Sequence, residues 1–237
     1  ELCLRVRSLG NRLNGIIQRA YEQAGVQIAI IVDEYDAPLL HTYETGYHDA
    51  CREIYRNFFT GLKDYGYCIK CVFITGITKF TQIGMFGMLN TLVNISFRNE
   101  YATICGFTKD EVMYYFSELL LGMADSVAVM PDELMDTMST FYGGYHFSRG
   151  LIGVYNPFSV CCALVNLRLD SYWIASCFNE MLLKVLRKFI NEIPELDNCL
   201  IDSDFLELCD VNMDDHKLFI FQSGYLTLKK VVGSRYM

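Results

Sequence analysis

Three acidic residues follow a short apolar run in the first part of the chain. The run is Ile28–Val32, and the acids are Asp33, Glu34 and Asp36. A short run of mostly β-branched residues predicts a strand that is buried on both faces, as in a parallel sheet. Open α/β sheets bind their ligands beyond the carboxyl ends of the strands. The spacing therefore puts these carboxylates where such a sheet carries its chemistry.

The acids match the needs of a site that hydrolyses a nucleotide. Such a site uses one carboxylate to hold Mg²⁺, usually through water, and a second polar group to polarise the attacking water. Asp33 at the strand terminus suits the first task, and Glu34, which points differently, suits the second. An apolar strand ending in Asp-Glu has the form of a Walker B strand, although no G-x-x-x-x-G-K-[ST] motif occurs in the chain. The alternative interpretation is a cluster of solvated acids after a buried strand.

A second set of polar residues follows the next apolar run, Cys68–Thr75. A threonine at the end of a neighbouring strand can hydrogen-bond the attacking water, which suits Thr75 or Thr78, and Lys79 can offset phosphate charge. The alternative is an ordinary loop in which Gly76 supplies a positive φ and the lysine lies on the surface. Spacing alone favours the ordinary loop.

The elements that must position these groups form a strand–helix–strand unit. Residues 3–24 have helical apolar spacing, and Gly25 ends that helix before the first strand. Tyr47–Tyr65 is a second amphipathic helix, with its charges mostly off the apolar face. A helix between two short apolar strands predicts a βαβ unit with parallel strands. Parallel pairing brings the polar residues after both strands to one edge of the sheet.

The rest of the chain is predicted to be mostly helical, with a small β element at its end. Thr108-Lys-Asp-Glu111 is a capping box that opens a helix through about Leu121. Pro131 starts another helix to about Tyr142, and Gly143-Gly144 ends it. The remaining predictions are helices from Asn156-Pro157 to about Leu167 and over Ser176–Ile193, and strands at Leu218–Phe221 and Tyr225–Val232.

Composition bounds the class of protein. The chain has 237 residues, 52% of them hydrophobic, which suffices for one large globular domain or two small ones. A net charge of −8 and the lack of a long basic run argue against an extended nucleic-acid surface, although they allow a small basic patch. The long uncharged stretches, 80–97 and 150–167, are not continuously apolar, so no membrane span is predicted.

Ten cysteines occur in the chain, and several lie inside apolar runs: Cys71, Cys105, Cys161 and Cys162. In a long chain that opens on no signal peptide, this usage predicts buried free thiols in a reducing compartment, and hence a cytoplasmic protein. Cys68-x-x-Cys71 has the spacing of a zinc half-site, but no well-spaced second pair accompanies it. A core role for this pair is therefore favoured.

Six longer segments reinforce the Walker B pattern. They are Ile30–Leu39 (IIVDEYDAPL), Phe73–Ser96 (FITGITKFTQIGMFGMLNTLVNIS), Tyr101–Val112 (YATICGFTKDEV), Tyr142–Phe147 (YGGYHF), Val154–Ser159 (VYNPFS) and Phe221–Lys229 (FQSGYLTLK). In this order they resemble the AAA-ATPase-like family of microbial proteins, over about residues 10–229. Several long motifs in order are far more specific than a Walker B strand alone.

The resemblance implies an α/β fold. Residues 1–105 would form the C-terminal part of a P-loop NTPase core of the ASCE, AAA-like type, with a parallel sheet. A helical lid over 106–170 and a winged-helix-like region over 171–237 would follow. The family's Walker A motif would lie before residue 1, so the chain is expected to be a fragment of a longer protein. Many full-length members carry a PD-(D/E)XK-type nuclease domain at the C-terminus.

The resemblance also implies roles for single residues. Asp33 and Glu34 match the Walker B acids, and Thr75-Gly76 and Thr78-Lys79 match the family's T-G-[VI]-[ST]-K segment. Glu34, Thr75 and Lys79 are therefore the expected catalytic residues, Asp33 and Thr78 the cofactor-binding residues, and Asp33 the metal ligand. ATP and Mg²⁺ are the expected cofactors, but only together with a Walker A segment.

One motif departs from the family and keeps an alternative open. Where the family commonly has Y-D-G-Y-R-F, residues Tyr142–Phe147 of this chain are YGGYHF. Gly143 stands in place of the acid and His146 in place of the arginine. The arginine is therefore lost unless Arg149 replaces it. A degenerate NTPase fold that acts as an interaction or DNA-recognition module is therefore the second hypothesis. A metal-dependent nuclease site formed by Asp33, Glu34 and Asp36 is the third, and it is disfavoured because the next strand offers no E-x-K triplet.

Overall fold

A computed structural model describes residues 9–78, 92–173, 180–196, 199–202, 216–233 and 235–237. These residues fall into two compact units, with the division between Val93 and Asn94. The first unit is an α/β unit with a small parallel sheet, and the second is mostly helical with short antiparallel strands. The three-part division at residues 105 and 170 stays a prediction.

The first unit contains the predicted strand–helix–strand arrangement. Its elements are α1 (Leu9–Ala24), β1 (Ile28–Val32), α2 (Ala37–Thr42), α3 (His48–Asp64) and β2 (Ile69–Ile74), with a 3₁₀ turn at Gly66–Cys68. Strand β1 pairs with β2 in parallel, as the spacing predicted. Gly25, with a φ of 67°, follows α1 and donates its N–H to the Tyr21 carbonyl at 2.9 Å. The short helix α2 was not predicted, although Pro38 sits in its first turn, where proline is favoured.

Helices α1 and α3 pack against each other and provide the core of the first unit. Ile17 of α1 and Phe59 and Leu62 of α3 are buried there. Gly10 makes the close approach of the two helices fit, because any Cβ at this position would overlap the Asn57 carbonyl oxygen. The amphipathic patterns located the buried faces only in part, because Ile16 and Ile54 of the predicted apolar faces are exposed.

The sheet of the first unit is not buried on both faces, and this corrects the sequence-based expectation. The side chains of Ala29, Ile31, Cys71 and Phe73 share one face and are exposed, Ile31 by 74% and Phe73 by 39%. The residues between them are partly buried on the other face. An apolar run predicts that both faces of a strand are covered, but it does not say which elements cover each face.

The second unit is built mainly from helices. They are α4 (Lys109–Tyr115), α5 (Ser117–Val127), α6 (Pro131–Tyr142), α7 (Pro157–Asn166), α8 (Glu180–Lys188) and α9 (His216–Gln222). The starts of α4, α6 and α7 were predicted. The capping box of α4 is present, with the Thr108 hydroxyl and the Glu111 carboxylate each accepting a backbone N–H from the other residue. The predicted helix through Leu121 breaks at Phe116, where the backbone leaves the helical region, and α5 continues to Val127.

The end of the chain differs from the prediction of two strands around a turn. Residues 216–222 form helix α9, which buries the consecutive residues Leu218, Phe219 and Ile220. The strands of this unit are short: β3 (Tyr145–His146), β4 (Gly153–Val154), β5 (Ile201–Asp202), β6 (Val231–Val232) and β7 (Arg235–Tyr236), with β7 between β5 and β6. The β propensity of the 218–221 run is overridden because the segment buries its apolar residues as a helix.

The largest core of the second unit joins α4 to α7. Its fully buried members include Met123, Leu134, Met138 and Leu164, with Tyr142 at the end of α6. The Tyr142 hydroxyl donates to the Asp170 carbonyl at 2.9 Å and accepts the Asp170 N–H, so its buried polar group is satisfied. Burial raises the pKa of Tyr142 above its ordinary value.

The predicted burial is wrong for the cysteines that lie inside apolar runs. The cysteines among the described residues are free thiols, but Cys71, Cys105 and Cys161 are exposed and Cys162 is half-buried. Cys68 alone of the described cysteines is buried. No helix of the described ranges is long and apolar enough to cross a membrane.

Candidate functional site

The carboxyl ends of β1 and β2 meet at one edge of the sheet. The register pairs Val32 with Ile74, and two more backbone bonds extend the pairing: Thr75 N–H to the Val32 carbonyl at 2.8 Å and Tyr35 N–H to the Thr75 carbonyl at 3.0 Å. Two predicted polar segments, 33–36 and 75–78, therefore lie side by side. The sequence-based juxtaposition of these residues agrees with the geometry.

Asp33 and Thr75 form the central contact of this edge. The Thr75 hydroxyl donates to Asp33 Oδ1 at 2.5 Å, and the Glu34 backbone N–H donates to the same oxygen at 3.0 Å. Asp33 is exposed, and Thr75 is half-buried. The alternation of side chains along the strands puts both residues on the same face as Ile31 and Phe73, the exposed apolar face. A carboxylate with one oxygen already oriented thus stands at the end of an exposed apolar surface.

Glu34 is held in an uncommon backbone conformation. Its φ is 51°, in the left-handed region, which costs a non-glycine residue free energy. Its side chain is exposed. The following Tyr35 and Asp36 then turn into the protein, so the left-handed residue marks the point where the chain reverses from the open edge to the interior.

Asp36 is the acid whose environment the sequence did not foretell. It is 1% exposed, so the interpretation of all these acids as a solvated cluster is wrong for this residue. Its Oδ2 accepts both the backbone N–H and the hydroxyl of Thr78, each at 2.6 Å. Thr78 is itself 3% exposed. Hydrogen bonds to a charged acceptor are among the stronger ones in proteins, and they compensate for the burial of the carboxylate.

Tyr35 and Gly76 complete the connection between the two segments. The Tyr35 hydroxyl donates to the Thr78 carbonyl at 2.8 Å. A methyl group on Gly76 would lie 2.6 Å from both Asp36 Oδ1 and the Tyr35 ring, so no larger residue fits without displacing them. Glycine is required here by the close approach of the two segments, not by a positive φ, which is the reason first assumed.

The pKa of Tyr55 in α3 is affected mainly by burial and to a smaller extent by nearby charges. Burial raises the pKa of Tyr55 to about 12, with smaller contributions from the negative charges of Cys51 and Asp36. Charge at this edge is divided between a buried acid and two exposed acids, Asp33 and Glu34.

The predicted site residues are thus only partly assembled in the described residues. Asp33, Glu34, Thr75 and Thr78 lie at one edge, while Lys79 lies outside the described residues. The sequence assigned neither Asp36 nor Tyr35 to the nucleotide site, although Asp36 was one of the acids considered for a nuclease. No local signal identifies them, because the partner of Asp36 is 42 positions away in sequence.

A preformed metal cage is not found in the described parts of the chain, where no group of three or more His, Cys, Asp or Glu residues could hold an ion. The donor set at the edge still fits Mg²⁺ in its usual nucleotide-site form. Mg²⁺ keeps several waters and is held by one or two carboxylates plus phosphate oxygens. Asp33 offers one such exposed carboxylate, whose Oδ1 is oriented by Thr75.

Arg149, considered as a replacement for the missing arginine of the Tyr142–Phe147 motif, has contacts within the second unit. Its Nε donates to the Tyr236 hydroxyl at 2.8 Å, and its guanidinium lies 5.7 Å from the centre of the Tyr236 ring. His146 is in β3, and its backbone N–H donates to the Thr227 hydroxyl at 2.8 Å. Arg149 therefore anchors the last strand.

Comparison with known proteins gives one family and one distant relative. Residues 4–86 match the AAA-ATPase-like family, described as a predicted AAA-ATPase. The chain is similar to an "Uncharacterized protein in vnfD 5'region" of Azotobacter chroococcum mcd 1, with 26% identity over 223 residues. That alignment covers 93% of this chain but 40% of the relative, so the chain spans less than half of the relative's length. No solved structure matches.

The matched segment coincides with the first unit. It includes β1, β2 and both polar segments at the carboxyl edge. By this match, residues 4–86 are similar to the AAA-ATPase-like family, described as a predicted AAA-ATPase.

Proposed function

We propose that the carboxyl edge of the first unit is the acid-bearing half of an ATP site in a P-loop ATPase-like protein. The observation that carries the proposal is the contact of the Asp33 carboxylate with the Thr75 hydroxyl at the ends of two adjacent parallel strands. Nucleotide sites of open α/β sheets lie at this edge. The match of residues 4–86 to the AAA-ATPase-like family supports the same class of ligand.

Asp33 is the proposed Mg²⁺ ligand. The ion would neutralise charge on the β- and γ-phosphates when it is bound. The Thr75 hydroxyl and the Glu34 N–H both donate to Oδ1, which leaves Oδ2 as the less engaged oxygen of an exposed carboxylate. An oriented acceptor costs less entropy on binding than one that must be ordered at that moment.

Glu34 and Thr75 are the proposed groups that orient the attacking water. Glu34 is exposed one position beyond Asp33, and its left-handed backbone turns it away from the direction of the strand. The Thr75 hydroxyl is near the same edge, and the expected role of Lys79 is to offset phosphate charge. Their contribution would be positioning and charge stabilisation, since phosphoryl transfer leaves little covalent chemistry for the protein.

The other half of the site would come from a phosphate-binding loop outside these 237 residues, because no G-x-x-x-x-G-K-[ST] motif occurs within them. The exposed apolar face of the sheet supports this part of the proposal. Ile31 and Phe73 lie on the face that carries Asp33 and Thr75, so a segment packed over them would also reach the acids. The relative extends well beyond the matched region, which is consistent with further segments in a longer protein.

The finer architecture belongs to the same proposal. Residues 106–170 would act as the helical lid and 171–237 as a winged-helix-like region, which nucleotide hydrolysis would move. A nuclease domain following this chain would be the element that the ATPase serves. The alternative is a degenerate fold that recognises DNA or a protein without hydrolysing ATP. It is motivated by Gly143 and His146, where the Tyr142–Phe147 motif differs from the family pattern.

The test is ATP turnover by the protein translated from the complete gene. We expect Mg²⁺-dependent hydrolysis that falls at least about 100-fold in Glu34→Gln, a typical loss for a positioned water-activating group. Glu44→Gln is the matched control, because Glu44 is another exposed glutamate with a positive φ, in the loop between α2 and α3, and this variant should keep full activity. Residues 1–237 alone should show negligible turnover.

Two results would count against parts of this proposal. Turnover by residues 1–237 alone that disappears in an Asp33→Asn/Glu34→Gln double variant would contradict the need for a further segment. A complete protein that binds DNA or a protein partner but neither binds nor hydrolyses ATP would favour the degenerate module.

A further inference from the structure

We propose that Asp36 is a positioning residue that holds the 75–78 segment so that the Thr75 hydroxyl meets Asp33. This inference deepens the proposed function, since it assigns the buried acid of the same edge. The acid does not reach the open site itself, because Asp36 is 1% exposed and its Oδ2 is occupied by Thr78. It acts through the segment that it binds.

The contacts form an interlock between two segments that are far apart in sequence. Asp36 accepts two hydrogen bonds from Thr78, and Tyr35 donates one to the Thr78 carbonyl and one to the Thr75 carbonyl. Both the donor and the acceptor of the Thr78 backbone are thus fixed by the turn that follows Asp33. Gly76 lies between them with no room for a Cβ.

The backbone between Thr78 and Thr75 connects the Asp36 contacts to the open edge of the sheet. Thr75 is fixed at its N–H by the Val32 carbonyl and at its carbonyl by the Tyr35 N–H. Thr78 fixes the other end of the segment, so the torsion angles between Thr75 and Thr78 are restricted at both ends. A restricted segment keeps the Thr75 hydroxyl in hydrogen-bond distance of Asp33 Oδ1, at 2.5 Å. Thr78 then serves as an internal anchor and not as a contact to the ligand.

The test combines amide hydrogen exchange with steady-state kinetics of the complete protein. Thr78→Val keeps the shape of the side chain but removes the hydroxyl that donates to Asp36, and Thr78→Ser restores a hydroxyl. We expect Thr78→Val to speed exchange of the Thr75 and Thr78 amides at least about tenfold, the effect of losing one hydrogen bond to a charged group. Thr42→Val is the matched control, because the Thr42 hydroxyl bonds only its own helix and a neighbouring histidine.

The kinetic arm separates positioning from a general loss of structure. We expect Thr78→Val to lower kcat for ATP about tenfold, since Thr75 is less often aligned, while KM changes less than about twofold. Thr78→Ser should return both exchange and kcat to near the wild-type values, and Thr42→Val should leave both unchanged.

The outcomes distinguish this inference from the proposed function. A wild-type protein without ATP turnover overturns the proposed function, while faster Thr75 exchange in Thr78→Val still supports the positioning of Thr75 by Asp36. Exchange rates in Thr78→Val equal to those of the wild type overturn the inference, whatever the activity. An unchanged kcat beside faster exchange in an active enzyme overturns it as well.

Discussion

The two units of the chain treat their apolar surface in opposite ways. The second unit closes four consecutive helices around fully buried residues such as Met123, Leu134 and Met138. The first unit covers one face of its sheet and leaves Ile31 and Phe73 exposed on the other. The exposed face ends in Asp33 and Thr75, which are hydrogen-bonded to each other and belong to the proposed site. A self-sufficient core and an open face thus occur in one chain, and the proposed site is on the open one.

The same contrast recurs within the first unit, between two carboxylates only three positions apart. Asp36 is buried and has its hydrogen bonds supplied by Thr78, whereas Asp33 is exposed. A buried, hydrogen-bonded carboxylate is suited to holding structure, and an exposed, oriented one is suited to binding a cation. Residue type alone does not distinguish the two roles, but the environment does.

The largest expected effect is on the free energy of unfolding, and it tests the contrast between the closed core and the open face. Leu134→Ala should cost about 3 kcal/mol of unfolding free energy in the second unit, because it leaves a cavity in a packed core. Ile31→Ala, at a 74% exposed position, should change the stability of the first unit by less than about 0.5 kcal/mol. Urea unfolding can be followed by Trp173 fluorescence for the second unit and by amide exchange for the first.

Equal costs for the two substitutions would contradict the assignment of Ile31 to an open face. In the complete protein we expect a different result for Ile31→Ala. There Ile31→Ala should become costly, about 1–3 kcal/mol, if a further segment packs over the sheet as proposed.

The next effect separates the two carboxylates. Asp36→Ala should destabilise the first unit by about 2–3 kcal/mol, because it leaves the buried N–H and hydroxyl of Thr78 without their acceptor. Asp33→Ala should cost less than about 1 kcal/mol, because the donors around an exposed residue can turn to water. Amide exchange of β1 and β2 measures both, and a reversed order would remove the distinction between a structural and an open acid.

A smaller effect on stability is expected at the start of helix α4 in the second unit. Thr108→Ala removes the N-cap of α4 and should cost about 1 kcal/mol. Thr137→Ala is the matched control, because the hydroxyl of this exposed threonine bonds only to the Glu133 carbonyl of its own helix. Chemical unfolding followed by Trp173 fluorescence gives both values, and a cost for Thr137→Ala as large as that for Thr108→Ala would argue against the cap.

The smallest effect depends on pH. Hydrogen bonds from the Thr108 N–H and hydroxyl lower the pKa of Glu111 from its ordinary value of 4.5. A lowered folded-state pKa means that its stabilising contribution is present above pH 4.5 and is lost as the pH falls through the folded pKa. The second unit should therefore lose stability on acidification below this pH more steeply in the wild type than in Glu111→Gln. Identical pH profiles would show that the charge of Glu111 contributes nothing to the stability of the second unit.

Local signals in the sequence predicted much of this structure. The apolar run Ile28–Val32 is strand β1, and Pro131 and Tyr142 bound α6 as expected. Those predictions rest on short-range chemistry: β-branched runs, proline at a helix start and glycine after a helix end. The 216–222 helix was missed because its burial against other parts of the unit outweighs its strand-like composition.

The candidate site was predictable only at its exposed end. The placement of Asp33 beside Thr75 followed from two strands in parallel, which the intervening helix implied. The burial of Asp36 and its bonds to Thr78 depend on how two distant turns meet, and no periodicity encodes that. Gly76 was noticed, but its reason, the close approach of Tyr35 and Asp36, is visible only in three dimensions.

The most direct test of the account is calorimetric titration of the complete protein with ATP, with and without Mg²⁺. Because Asp33 is the proposed metal ligand, Asp33→Asn should weaken binding of Mg·ATP at least about tenfold and leave binding of metal-free ATP unchanged. An Asp33→Asn variant that binds Mg·ATP as tightly as the wild type would contradict the assignment of this edge as half of an ATP site.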